Sequence, residues 1–189
     1  EKAIELSKEL DKDPRLVQLI LNESNEVIRY RKGVIVVENK LGLIHANAGI
    51  DRSNIESEKD NPRVLLLPKD PDKSSLRIRK EIFNQSNKDI GVIINDSSGR
   101  AWRNGIVGIA IGSSGADVLT DLRGKTDLFG NTLQVTEVGI ADEIASAASL
   151  LMGQGKEGLP VIIVKGFSKS TDKNGAKALI RKASEDLFR

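Results

Sequence analysis

The chain of 189 residues has no cysteine and a single histidine, which excludes disulfides, thiol nucleophiles, thiolate zinc sites and histidine-rich metal cages. Any metal it binds must be held by oxygen. Aromatic residues make up only 3%, with Trp102 and Tyr30 each the single example of its kind, so base-stacking platforms for single-stranded nucleic acid are not expected. Charge of one sign is also lacking. With 29 basic and 27 acidic residues the surface is nearly balanced and offers no electrostatic footprint for duplex DNA. No segment approaches the roughly 18 to 20 apolar residues that span a bilayer, and the opening Glu1-Lys2-Ala3-Ile4 is not a signal peptide. The expectation is a cytoplasmic protein with neither nucleic acid nor membrane as partner. The chain opens without methionine and reads as starting in mid-helix, with Ala3, Ile4 and Leu10 on one apolar stripe; a preceding N-terminal portion is expected.

What is present is 39% hydrophobic residues, mostly Ile, Val, Leu and Ala, enough for one compact domain or two small ones. Asp13-Pro14 starts a helix that buries Leu16, Val17, Leu19, Ile20 and Leu21. Val34–Val37 and Leu43–Ala46 flank the turn Asn39-Lys40-Leu41-Gly42 and read as a hairpin, followed after Ser53 by a polar loop to Arg63. Val64–Leu67 reads as a short strand stopped by Pro68. A helix is predicted from Ser74 or Ser75 to about Asn87, with Leu76, Ile78, Ile82 and Phe83 inward. Ile90–Ile94 reads as a central strand covered on both faces and delivering Asp96 at its end. Ile106–Ile111, Leu133–Val138 and Pro160–Val164 read as further strands. Helices are predicted over Ala141–Met152 and Ala176–Arg189. The fold class is α/β in the mixed α+β sense, with mixed sheets and packed helices.

Three segments carry chemistry. Asn47-Ala48-Gly49-Ile50-Asp51-Arg52-Ser53-Asn54 and Ile93-Ile94-Asn95-Asp96-Ser97-Ser98-Gly99-Arg100 each run from an apolar stretch into a turn whose first ionisable residue is aspartate, where a sheet presents hard oxygen ligands to a cation and its phosphates. A single strand-end aspartate is more often a turn former. Two such motifs shift the balance. Arg100, four residues beyond Asp96, suits a phosphate or oxyanion partner. Met152-Gly153-Gln154-Gly155-Lys156-Glu157-Gly158-Leu159 is a glycine loop whose amides can approach a polyphosphate closely.

Two nucleotide folds are excluded by context. Gly153, Gly155 and Gly158 match G-x-G-x-x-G, but they follow a helix and precede an apolar run, the reverse of the Rossmann order. Gly124-Lys125-Thr126 has the end of a P-loop without the glycine five residues before Gly124, and reads as a turn. His45, between apolar neighbours, reads as a packed histidine.

These motifs, with Gly105–Gly112, Asp127-Leu128-Phe129-Gly130, Ala141–Ile144, Leu150–Gln154 and Glu185–Arg189, resemble the coenzyme F-420:L-glutamate ligase family over nearly the whole chain. The resemblance implies a fold of its own, neither Rossmann nor P-loop, and a family core covering 1–189 without the family's N-terminal segment. It implies an acid–amino-acid ligase that attaches L-glutamate to the deazaflavin precursor F-420-0 with hydrolysis of GTP, later adding γ-linked glutamates. It implies two divalent cations, magnesium or manganese, a monovalent cation such as potassium, and a cytoplasmic homodimer. By position, Asp51 and Asp96 match aspartates on one metal, Ser97 and Gln154 match the ligands of a second, and Asn54 and Met152 to Leu159 match nucleotide contacts. Ser97 stands where threonine is frequent, and Gln154 where glutamate also occurs. Two other readings stay open: a non-catalytic nucleotide- or metabolite-binding homologue, and an amide ligase acting on another acid.

Overall fold

The computed structural model describes residues 1–58, 60–167 and 174–188. It divides into two compact units, the first comprising Glu1–Lys69, Ser98–Gly105 and Lys182–Arg189, the second Asp70–Ser97 and Ile106–Arg181. The architecture is mixed α and β, with small sheets and packed helices, and the described residues form neither a Rossmann nor a P-loop arrangement.

In the first unit, helix α1 (Lys2–Leu10) buries Ala3, Leu6, Ser7 and Leu10, the three- and four-residue spacing that lines one helix face. Ile4 does not share that stripe and is exposed. Helix α2 (Pro14–Asn22) begins where expected: Asp13 caps it by accepting the Arg15 amide at 2.8 Å, and proline at the first position loses no hydrogen bond. Its Val17 and Ile20 are buried, with Leu16 and Leu21 packed around them.

A three-stranded antiparallel sheet follows, formed by β1 (Ser24–Arg31), β2 (Val34–Asn39) and β3 (Ile44–Ala46) in that order. The β2–β3 hairpin matches expectation. Strand β1, rich in polar residues and interrupted by irregular register, was not foreseen. β2 alternates buried and half-buried positions, and Ile35 and Val37 complete a core with Ala3, Leu6, Leu10, Val17, Ile20 and Ala48. Asn39 organises the turn: its Oδ1 accepts the amides of Leu41 at 3.0 Å and Leu43 at 3.1 Å. His45 is buried beside it, Nδ1 lying 3.5 Å from Asn39 Nδ2, the packed histidine expected.

Val64–Leu67 does not form a strand. Its pairing is a single bridge, in which Leu65 and Asp51 exchange amide–carbonyl hydrogen bonds of 2.9 and 3.0 Å, and Leu65 and Leu66 stay exposed. A four-residue apolar run has no strand identity without a ladder to join.

In the second unit, helix α3 (Pro71–Ser86) starts earlier than expected because Asp70 caps it, accepting the Lys73 amide at 3.0 Å, and Pro71 supplies its first turn. Leu76, Ile78 and Phe83, expected inward, are exposed; Pro71 and Ser75 are buried instead. The reason is close approach between small residues. A Cβ on Gly112 would sit 2.5 Å from the Pro71 backbone.

Strands β4 (Val92–Arg100) and β5 (Arg103–Ser114) pair with each other, joined by the two-residue turn Ala101-Trp102. The long partner strand carries pairing through the polar run Asn95–Ser98. Asp96 therefore lies inside a strand of a two-stranded sheet, and not at the end of a central one.

Short β6 (Thr120–Asp121) and β7 (Glu137–Val138) pair antiparallel, so of the expected strand over Leu133–Val138 only two residues remain. Helix α4 (Ile140–Met152) is as expected, and its Ala141 and Ala145 join Ala110 and Val118 in a second core, with Ile93 and Leu179 packed against it. Pro160–Val164 is not a strand; Val161 and Ile163 are exposed, and no strand among the described residues pairs with it.

Over residues 176–188 the expected terminal helix is replaced by two 3-10 turns, Ala176–Leu179 and, in the first unit, Ala183–Glu185; its last residue, Arg189, lies outside the described residues. Asp72 holds the former, its Oδ1 accepting the amides of Ala176 at 2.7 Å and Ser113 at 2.8 Å. No helix among the described residues is long and apolar enough to cross a membrane.

Candidate functional site

The first unit contributes Asp51, Asn54 and Arg100. The chain reaches Asp51 through the 3-10 turn Asn47–Gly49, where three successive residues have positive φ: Asn47 at 51°, Ala48 at 60° and Gly49 at 74°. Left-handed backbone at asparagine and alanine costs energy. Glycine suits the third position because its φ of 74° strains other residues, and a Cβ there would also crowd the Leu67 side chain and His45 Nδ1. Asp51 Oδ1 accepts both the amide and the hydroxyl of Ser53, at 2.8 and 2.6 Å. Burial pushes its carboxyl up, but the Ser53 bonds outweigh this and hold it below the ordinary carboxylate range. Asp51 thus presents an exposed carboxylate to solvent. Asn54 has φ of 51°. Arg100 is exposed, its Nη2 donating to the Asn104 carbonyl at 3.1 Å.

The second unit contributes Asp96, Ser97 and the loop Met152–Leu159. Asp96 is half-buried and Ser97 exposed on β4, and as successive strand residues they address opposite faces. They suit two ligand positions better than one. Helix α4 is pinned to β4 and β5 by polar contacts: Asp142 Oδ1 accepts the Ala110 amide at 2.8 Å, Ser146 Oγ donates to the Gly108 carbonyl at 2.7 Å, and Asn95 Nδ2 donates to the Ala145 carbonyl at 2.9 Å. Burial raises the Asp142 carboxyl, the Ala110 amide opposing it.

The loop leaves α4 at Gly153, whose φ of 72° suits only glycine comfortably. Glu157 folds back over Gly153, and its Oε2 accepts the Gly155 amide at 2.8 Å. An amide of the loop therefore already holds an anion. Gln154 and Lys156 are exposed.

Taken unit by unit, Asp51 in the first offers a carboxylate, and Asp96, Ser97 and Gln154 in the second offer carboxylate, hydroxyl and amide oxygen; each is a hard donor of the kind that suits magnesium or manganese. Among the described residues no group of three or more His, Cys, Asp and Glu side chains could hold a metal; the set named here contains just two acids. One residue inside these motifs, Asn95, has no role of its own in the sequence reading. Asn95 is an amide where the apolar run Val92–Ile94 of β4 turns polar, and that change is its signal; Glu157 lies in the segment expected to contact nucleotide, and its place on the Gly155 amide is what the structure adds.

Residues 1–166 match the model of the F420-0:gamma-glutamyl ligase family. The chain belongs to that ligase family. It is 50% identical over 187 residues to the coenzyme F420:L-glutamate ligase of Methanococcus maripaludis strain C7, covering 99% of this chain and 73% of that protein. The protein of the same name from Methanocaldococcus jannaschii is 48% identical over the same shares. That from Archaeoglobus fulgidus is 40% identical over 100% of this chain and 74% of its own length. The resemblance read from the motifs is thereby established, and with it membership of an enzyme family that forms amide bonds to glutamate.

Proposed function

We propose that this chain attaches L-glutamate to F420-0 in a GTP-dependent reaction through an acyl phosphate, with γ-linked glutamates following. Carboxylate and amine do not condense at neutral pH, so the acid must be activated. A carboxylate oxygen of the precursor attacks the γ-phosphorus of GTP; the bond to the β–γ bridging oxygen breaks and GDP leaves. The glutamate amine then attacks the acyl carbon, inorganic phosphate departs and the surplus proton passes to solvent.

Asp51, Asp96, Ser97 and Gln154 would hold the divalent cations, which when bound offset the negative charge of the phosphates. The chain's own amides do the rest. Gly155 and its neighbours cradle the phosphates, with Glu157 leaving the Gly155 amide to make way, and Asn54 contributes to the nucleotide contact. Arg100 would neutralise charge on the transferred phosphoryl group, for which guanidinium is well shaped. A monovalent cation such as potassium and a cytoplasmic homodimer complete the reading; exposed Leu150, Leu151, Val161 and Ile163 supply apolar surface for a second copy to cover.

The observation that carries the proposal is the loop amide of Gly155 occupied by a carboxylate, directly after the helix that packs on the Asp96 strand, in a chain of this ligase family. Phosphate release by purified protein, measured with GTP alone, with glutamate, and with glutamate plus F420-0, tests it. Release that requires all three supports the proposal. Binding without release indicates a non-catalytic homologue, and release prompted by a different acid indicates an amide ligase of other specificity.

A further inference from the structure

Asn95 reaches three acceptors on one face of α4: the Ala145 carbonyl at 2.9 Å, Ser149 Oγ at 3.0 Å and Met152 Sδ at 3.5 Å. Those residues span the helix's last two turns and end at its final residue. The two N–H groups of the amide are shared among them. Gly108 on β5 makes room, since a Cβ there would lie 2.6 Å from Asn95 Oδ1 and 2.7 Å from the Ala145 carbonyl, and would overlap Ser149 Oγ.

The arrangement carries a cost. Asn95 Oδ1 is buried with no hydrogen-bond partner, and an orphaned buried acceptor costs about 1–3 kcal/mol. A leucine, which has the same heavy-atom branching with methyl groups in place of the amide O and N, would avoid that cost while packing beside Ile93 and Ile94. The amide's donors instead tie β4 to the end of α4 at a fixed spacing, which apolar packing alone would not specify. On one side of Asn95 in the chain stands Asp96, followed by Ser97; on the other side of its hydrogen bonds stands Met152, where the glycine loop begins, two residues before Gln154.

We propose that Asn95 is a positioning residue that sets the spacing between the strand-borne pair Asp96–Ser97 and the Met152–Leu159 loop, so that metal and nucleotide ligands of this unit are aligned together. The proposal rests on the metal and nucleotide reading above. Asn95 need touch neither substrate nor cation. It acts by fixing the end of α4, as groups behind metal ligands commonly do at 10- to 100-fold in affinity.

The role separates from a structural one because Asn95→Leu removes the donors and the orphaned acceptor together. The test is Mn2+ binding in the presence of GDP, followed by electron paramagnetic resonance, beside thermal unfolding of the same samples. The full chain, Asn95→Leu and Ser149→Ala are compared. Asn95→Leu should weaken Mn2+ binding about 10- to 100-fold at unchanged or raised Tm, and Ser149→Ala, which deletes one acceptor, about threefold, in line with the loss of part of one neutral hydrogen bond. Unaltered chain that binds no Mn2+ with GDP overturns the metal reading itself. Unaltered chain that binds, with folded Asn95→Leu binding equally well, overturns this inference alone. Losses of binding that simply track losses of Tm mark a structural residue and also overturn it. If Asn95→Leu does not fold, Ser149→Ala decides: unchanged affinity contradicts the proposal.

Discussion

The Gly155 amide donates to Glu157 Oε2 at 2.8 Å, so the acid occupies a donor that a nucleotide phosphate would use. Both groups are anionic and compete for one N–H. Glu157→Gln removes the negative charge while keeping a weaker acceptor, and phosphate should displace it more easily. The expected outcome is GDP binding tightened about two- to tenfold, the change produced by losing roughly 0.5–1.5 kcal/mol of hydrogen-bond competition, as read by calorimetry. Weaker binding would show that Glu157 assists the nucleotide directly.

Asp96→Ala should reduce turnover by at least about 10²-fold, the scale observed when one group that stabilises reaction charge is removed, with little change in Tm. Circular dichroism and the phosphate-release assay check both halves. Asp96 is half-buried in β4, so a collapse of the fold would instead indicate that its contacts are structural.

The motifs that named Asp51 and Asp96 were legible because a polar residue after an apolar run is a local signal. Helix α2, the β2–β3 hairpin and α4 were legible for the same kind of reason: a capping Asp13-Pro14, the turn Asn39-Lys40-Leu41-Gly42 and the small residues Ala141, Ala145, Ala147 and Ala148 with Asp142-Glu143 in the first turn all act within a few residues. What failed was non-local. Val64–Leu67 and Pro160–Val164 look like strands, yet strand formation depends on a partner that sequence does not display. The buried face of α3 is Pro71 and Ser75 because Gly112, some 40 positions away, lets the backbones meet. Asn95 was invisible as a clamp since Ala145, Ser149 and Met152 lie 50 to 57 positions off.

Asn39 should prove essential to the hairpin that delivers Asn47–Asn54. It is 2% exposed, and truncation strands the amides of Leu41 and Leu43. Asn39→Ala should cost about 2–3 kcal/mol, seen as a lowered urea midpoint with an unchanged slope.

Asp142 gives a pH prediction of defined sign. Burial raises its carboxyl above the ordinary 3.8, so the folded state binds the proton more tightly than the unfolded chain. Its contribution to stability is greatest when protonated and is lost as pH rises through the raised folded value. Asp142→Asn keeps the acceptor for the Ala110 amide and cannot ionise. The variant should be more stable than the unaltered chain at neutral pH, with the difference shrinking as pH falls toward 3.8; thermal unfolding across that window checks it.

The acyl-phosphate route is tested most directly by isotope transfer. F420-0 labelled with oxygen-18 in its acceptor carboxylate is incubated with the protein, GTP, L-glutamate and a divalent cation, and the released phosphate is analysed by mass spectrometry. Attack of the carboxylate on the γ-phosphorus predicts that each phosphate formed carries one labelled oxygen, in step with amide and GDP. Amide formed with phosphate that carries no label would contradict the account.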